Sequence, residues 1–134
     1  MPRATGPFEV SLKPLPVENQ PGDGNSLGRM SIEKQYHGDL EGVGTGQMLT
    51  GGTAIKTSAA YVAIEQVAGS LKGRKGSFIL QHTGTMTRGA PSLAIIVVPD
   101  SGTDQLEGLK GTMEIIIEAG KHSYQLDYTL SGRG

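Results

Sequence analysis

The chain has 134 residues, a formal net charge of −1 and no cysteine. That is enough chain for one hydrophobic core, and it excludes a disulfide framework, a thiolate nucleophile and a sulfur metal site. The near-neutral balance offers no field for nucleic acid or anionic lipid, and a 4% aromatic content without Trp argues against a stacking platform for single strands.

Residues 1–26 contain no apolar run long enough for a signal peptide. No later segment approaches a membrane span, so a cytoplasmic protein is expected, with no membrane or nucleic-acid partner. Phe8 to Leu15 alternates weakly and ends at Pro14 and Pro16, which suits an edge or closing strand. Val17 to Ser26, rich in Pro, Gly, Asn and Asp, reads as a loop. Gly28 to His37 alternates clearly, with Met30, Ile32, Lys34 and Tyr36 on one side. Gly38-Asp39 is a turn with His37 at its edge. The glycines at 42, 44 and 46 belong to a loosely patterned strand through Leu49 and read as bulges.

Lys56 to Ala68 and Gly76 to Thr87 form a hairpin. A two-residue turn at Gly73-Arg74 puts Lys72 opposite Lys75 and Glu65 opposite His82. Leu93 to Val98 (LAIIVV) is apolar on both faces, which predicts burial on both sides, under another element or in a subunit interface. Ser101 is a candidate N-cap of a short helical turn near 101–106, with Asp104 three residues on. Gly111 to Glu118 and Lys121 to Leu130 make the last hairpin, with Met113, Ile115 and Ile117 on the face of His122, Tyr124, Leu126 and Tyr128.

With 21 glycines, abundant Val, Ile and Thr, and no helical periodicity, the chain is all-β. About eight strands joined mainly by hairpins predict one closed antiparallel barrel over residues 1–134, of calycin or avidin shape. The runs YVAIEQVAGSLKGRKGSFILQHTGTM, VVPDSGTDQLEGLKG and HSYQLDYTL carry a further signal. From Phe8 to Leu130 the chain resembles an uncharacterised bacterial family known as a domain of unknown function, itself similar in fold to the plant allene oxide cyclases. The resemblance implies an eight-stranded barrel with a central cavity, usually in an oligomer. The cyclases isomerise a fatty-acid epoxide by confinement, aided by a glutamate and a water. No cyclase catalytic motif matches here residue by residue, so that activity is not carried over.

The chemistry read from the residues centres on Glu65 and His82. Facing inward, they could move a proton on a bound molecule; facing outward, they would be an ordinary cross-strand pair; buried without chemistry, they would fix register. Tyr61, Val67, Phe78, Leu80 and Met86 share their face, which favours the interior. Ligand contacts are expected from Tyr61, Phe78, Leu80, His122, Tyr124 and Tyr128, although a Tyr on an apolar face more often serves the core. No His pair has metal-ligand spacing, and no phosphate loop or nucleophile elbow is present, so neither metal nor cofactor is expected. The expected function is binding of a small apolar molecule, with isomerase or cyclase chemistry by the Glu-His pair. The rival is a non-catalytic oligomeric module with a side-chain-filled barrel. The LAIIVV strand predicts a homo-oligomer in either case.

Overall fold

Period-two alternation decides which side chain of each strand points inward. In a computed structural model, which describes residues 2–130, the strands are β1 Arg3–Leu15, β2 Ser26–Tyr36, β3 Leu40–Gly52, β4 Ala59–Leu71, β5 Arg74–Thr87, β6 Ala90–Val97, β7 Leu109–Glu118 and β8 Lys121–Leu130. Each pairs antiparallel with the next, and β8 returns to β1, so the barrel closes in sequence order, its shortest seam being β6–β7, where Ile95 and Ile96 pair with Met113 and Thr112. The Pro-bounded first strand is the closing one, with Phe8 opposite both Tyr36 of β2 and His122 of β8. Among the described residues no helix is long and apolar enough to cross a membrane.

One end of the barrel is packed solid. Tyr36, Val67, Phe78, Leu80, Tyr124 and Leu126 fill its middle, and Leu71, Leu106 and Leu109 close the end. Full burial of such side chains stabilises by about 1.5–3 kcal/mol each. Leu106 belongs to a 3-10 turn, Asp104–Leu106, in the β6–β7 connection. That connection is tied to β5: the Lys75 N–H donates to Gln105 Oε1 (2.8 Å) and the Ser77 N–H to Thr103 Oγ1 (3.0 Å). The other end, framed by the β1–β2, β3–β4, β5–β6 and β7–β8 connections, is open.

Four expectations are corrected. The β4–β5 turn is Lys72-Gly73, both residues at positive φ (48° and 85°), because a type I′ turn favours Gly second. Leu71 therefore pairs with Arg74, Glu65 with Leu80 and Ala63 with His82. The slip is two residues, an even number, so every face is retained and Glu65 and His82 meet diagonally. Ser101 is not the N-cap: Thr103 holds that position without a side-chain cap bond. The Ser101 hydroxyl instead accepts the Ile79 N–H (3.0 Å) and donates to the Val98 carbonyl (2.7 Å). The glycines of β3 form no bulge, since pairing runs unbroken to both neighbours. In β6, Ile95 and Val97 are buried but Ala94 and Ile96 are exposed, so no described element covers the outer face of LAIIVV, and of the two readings burial under another element is the one corrected.

Candidate functional site

The open end holds a cavity of about 290 Å³. Its walls are carbon: Phe8 and Val10 from β1, Ile32 from β2, Met48 from β3, Ala63 from β4 and Ile115 from β7. Lys34, His82, His122 and Tyr61 are the polar groups bordering it. A second, rim cleft of about 360 Å³ lies between β3, β4, β5 and β6, and shares Met48, Tyr61 and Leu93 with the first. The Tyr61 ring divides the two. It packs against Gly84, where a Cβ would come within 2.4 Å of Cε1, so only glycine leaves the ring its place.

Glu65 is fully buried behind the cavity. Its Oε1 accepts from Lys34 Nζ (3.1 Å) and faces His82 Nε2 (2.9 Å), and its Oε2 accepts the Tyr36 hydroxyl (2.5 Å). Lys34 is nearly as buried, with Nζ 5.2 Å from the Phe8 ring centre and 5.8 Å from that of Tyr36. Burying a carboxylate and an ammonium is costly unless the lone pairs are satisfied, and here three side-chain donors meet one carboxylate. Gly44 makes this cluster fit: a Cβ there would lie 2.1 Å from Glu65 Oε2 and 3.1 Å from Tyr36 Cε2.

Electrostatics follow the geometry. Burial pushes the Glu65 carboxyl up, but the His82 hydrogen bond, the Lys34 charge and the Tyr36 hydrogen bond together hold it below its ordinary value. The Tyr36 phenol is pushed far up by burial and then by the Glu65 charge. Tyr61 is raised for the same two reasons. An ionised carboxylate only accepts, so His82 carries its proton on Nε2 and donates it to Glu65. With the proton on Nε2, Nδ1 is the nitrogen that can offer a lone pair. It has no protein partner among the described residues, and it is not sealed from solvent. Among the described residues no three His, Asp or Glu side chains group as a metal site.

The predicted residues divide. Tyr61, His82 and His122 border the cavity, with His122 stacked edge-on to Phe8 at 5.4 Å. Glu65 reaches it only through His82 and Lys34. Phe78 and Leu80 sit in the packed half. The Tyr124 hydroxyl accepts the Leu40 N–H (2.8 Å) and donates to the His37 carbonyl (2.7 Å), fastening the β2–β3 turn, and burial raises its pKa. Tyr128 lies toward the closed end, beside Leu71 and Lys72. Lys34, Tyr36 and Gly44 were not singled out from sequence as site residues. The available signal was a lysine in the apolar row of β2 and a glycine at every second position of β3.

These features define a class: a closed eight-stranded antiparallel barrel, solid at one end, with a carbon-lined cavity above a buried ionic cluster at the other. The chain belongs to the DUF3224 family of proteins of unknown function, whose family profile matches residues 4–128. It is similar to a protein with unknown function from that family in Shewanella oneidensis MR-1. The two are 47% identical, the crystal structure superposes with a TM-score of 0.94, and the match covers 98% of this chain and 99% of the other. No curated protein matches the sequence.

Proposed function

We propose that the cavity binds a small, largely apolar carbonyl compound and that His82 moves one proton on it, making the barrel an isomerase of the confinement type. One observation carries the reading: His82 lines a carbon-lined cavity, with Nε2 held on a buried carboxylate and its other nitrogen without a protein partner among the described residues. Nδ1 takes a proton from a carbon next to the carbonyl, and the electron pair moves onto the carbonyl oxygen. The Lys34 ammonium, which also borders the cavity, offsets that developing charge. In a substrate with a double bond between its β and γ carbons the pair is shared with the γ carbon, and returning the proton there moves the double bond into conjugation, with no atom gained or lost. Glu65 is a positioning residue, since it fixes the tautomer and direction of His82 without touching the cavity. Walls of Val, Ile, Leu and Phe restrict the conformers available to the bound molecule.

The rival reading, a barrel filled with side chains, fits the closed half but not a void of about 290 Å³ at the mouth. Native mass spectrometry of freshly purified protein tests the choice by detecting a retained metabolite. His82→Ala is expected to lower turnover of that metabolite by about 10²–10⁴-fold. Glu65→Gln is expected to lower turnover or alter retention while unfolding stays cooperative. Unchanged retention and turnover in both variants removes the cluster from the mechanism.

A further inference from the structure

The outer wall of the barrel has two unlike halves. The outward faces of β1, β2, β7 and β8 carry Arg3, Glu9, Glu33, Glu114 and Asp127 among other charges. On β3 to β6, the outward positions from Val43 to Gly51, Ala60 to Ser70, Ser77 to Thr87 and Ala90 to Ile96 carry none. Leu49, Val62, Ile64 and Ile96 stand on this half, exposed by between 38% and 56%. Inward positions here are apolar or glycine apart from Thr50, Glu65 and His82, and outward ones are Gly, Ala, Ser, Val, Leu, Ile, Thr and Gln. Solvation alone does not explain the lack of charge, because the other four strands are solvated with charges.

We infer that the β3–β5 part of this uncharged face is where a second copy of the chain docks, about a two-fold axis running along its middle strand, β4. Three observations carry this. First, the size is right. With about 4.8 Å between strands and about 6.7 Å between same-face neighbours, the patch on β3 to β5 covers roughly 550 Å² before side-chain relief is counted. A standard interface takes roughly 800 Å² per partner. Second, its anatomy is that of an interface, an uncharged centre with charge at the margin. The outward row at the closed end reads Glu41–Ser70–Lys75 across β3, β4 and β5.

Third, the pattern is self-complementary about β4. Rotation about an axis along that strand exchanges the β3 and β5 sides. Glu41 of one copy then faces Lys75 of the other, and the reverse, as an isologous contact requires. Higher up, Gln47 and Gln81 flank Ile64 in one row and exchange in the same way. An unrelated partner would need none of this symmetry. The open ends of the two barrels lie on the same side of such a dimer. The top row, Ala60, Thr85 and Ser92, also borders the rim cleft, so the second copy sits beside it.

Sedimentation velocity on the full chain, at about 1–100 μM, tests the inference independently of any chemistry in the cavity. The expected mass is two copies. Ile64→Glu is expected to weaken dimerisation by about 100-fold or more, since it forces two like charges together in a desolvated centre, while the far-ultraviolet circular dichroism of the barrel is retained. Glu41→Lys and Lys75→Glu each set like charges face to face and should favour monomers. An equimolar mixture of the two restores both attractions and should yield the mixed dimer. A monomer at 100 μM, any assembly other than two copies, or a dimer indifferent to Ile64→Glu overturns the proposal. A mixture that fails to form the mixed dimer overturns the axis.

Discussion

Gly44→Ala tests the account of the buried cluster. In a strand, replacing glycine by alanine ordinarily stabilises by about 0.5–1 kcal/mol, because the unfolded chain loses freedom. Gly44 is not in the left-handed region, so its backbone accepts alanine. The new methyl would nevertheless lie 2.1 Å from Glu65 Oε2 and 3.1 Å from the Tyr36 ring. Something must move, and the first contact to go is the 2.5 Å bond from Tyr36 to that oxygen. Overpacking costs about 1–3 kcal/mol and a hydrogen bond to a charged group about 1.5–3 kcal/mol. The expected net loss is about 2–4 kcal/mol, read as a drop in the urea midpoint and as a fall of roughly 8–16 °C in Tm. Gly51→Ala, where a Cβ meets nothing within 4 Å, is the control and should change little. In a Glu65→Ala background the cost of Gly44→Ala should fall below about 1 kcal/mol. A Gly44→Ala protein as stable as wild type, or a cost undiminished by removing the carboxylate, would refute the reasoning.

Acid should act through the same group. The folded pKa of Glu65 is lowered, so as pH falls the unfolded chain takes up the proton first. The stabilisation is complete above the ordinary glutamate value of about 4.3 and is lost as pH falls through the lower folded value. The stability gap between wild type and Glu65→Gln, from urea titrations, should hold steady from about pH 8 to pH 5 and close below about pH 4; a gap that widens on acidification counts against it. Tyr124→Phe should cost about 1–3 kcal/mol by leaving the Leu40 N–H and His37 carbonyl without their partner. It should leave ligand retention untouched, and altered retention would mean that Tyr124 contacts the bound molecule.

The barrel was legible because alternation and hairpin turns are local signals. Even the misplaced turn at 73–74 did little harm, since an error of two residues keeps Glu65 and His82 on one face and within reach. An error of one would have moved one of them to the outer wall. The cluster was half legible. Lys34 could be seen to share a side with Ile32 and Tyr36, but that it pairs with Glu65 depends on how β2 and β4 approach each other across β3. The glycines of β3 were misread because a missing side chain does not reveal what occupies its space. Only the neighbour across the strand, the carboxylate of Glu65, distinguishes room for a partner from a break in pairing. Ser101 was assigned to the nearest helical turn, whereas its partners lie on β5 and at the end of β6, a tertiary contact that local spacing does not record.

The solid end of the barrel has a consequence for traffic. With Leu71, Leu106 and Leu109 packed there, a guest of the proposed kind would meet a closed floor beyond the ionic cluster and would have to back out through the doorway by which it came. It would therefore present its leading end to His82. Chemistry in this vessel would be confined to one terminus of an elongated guest, whatever lies along the rest of it, and the protein cannot serve as a conduit from one side to the other.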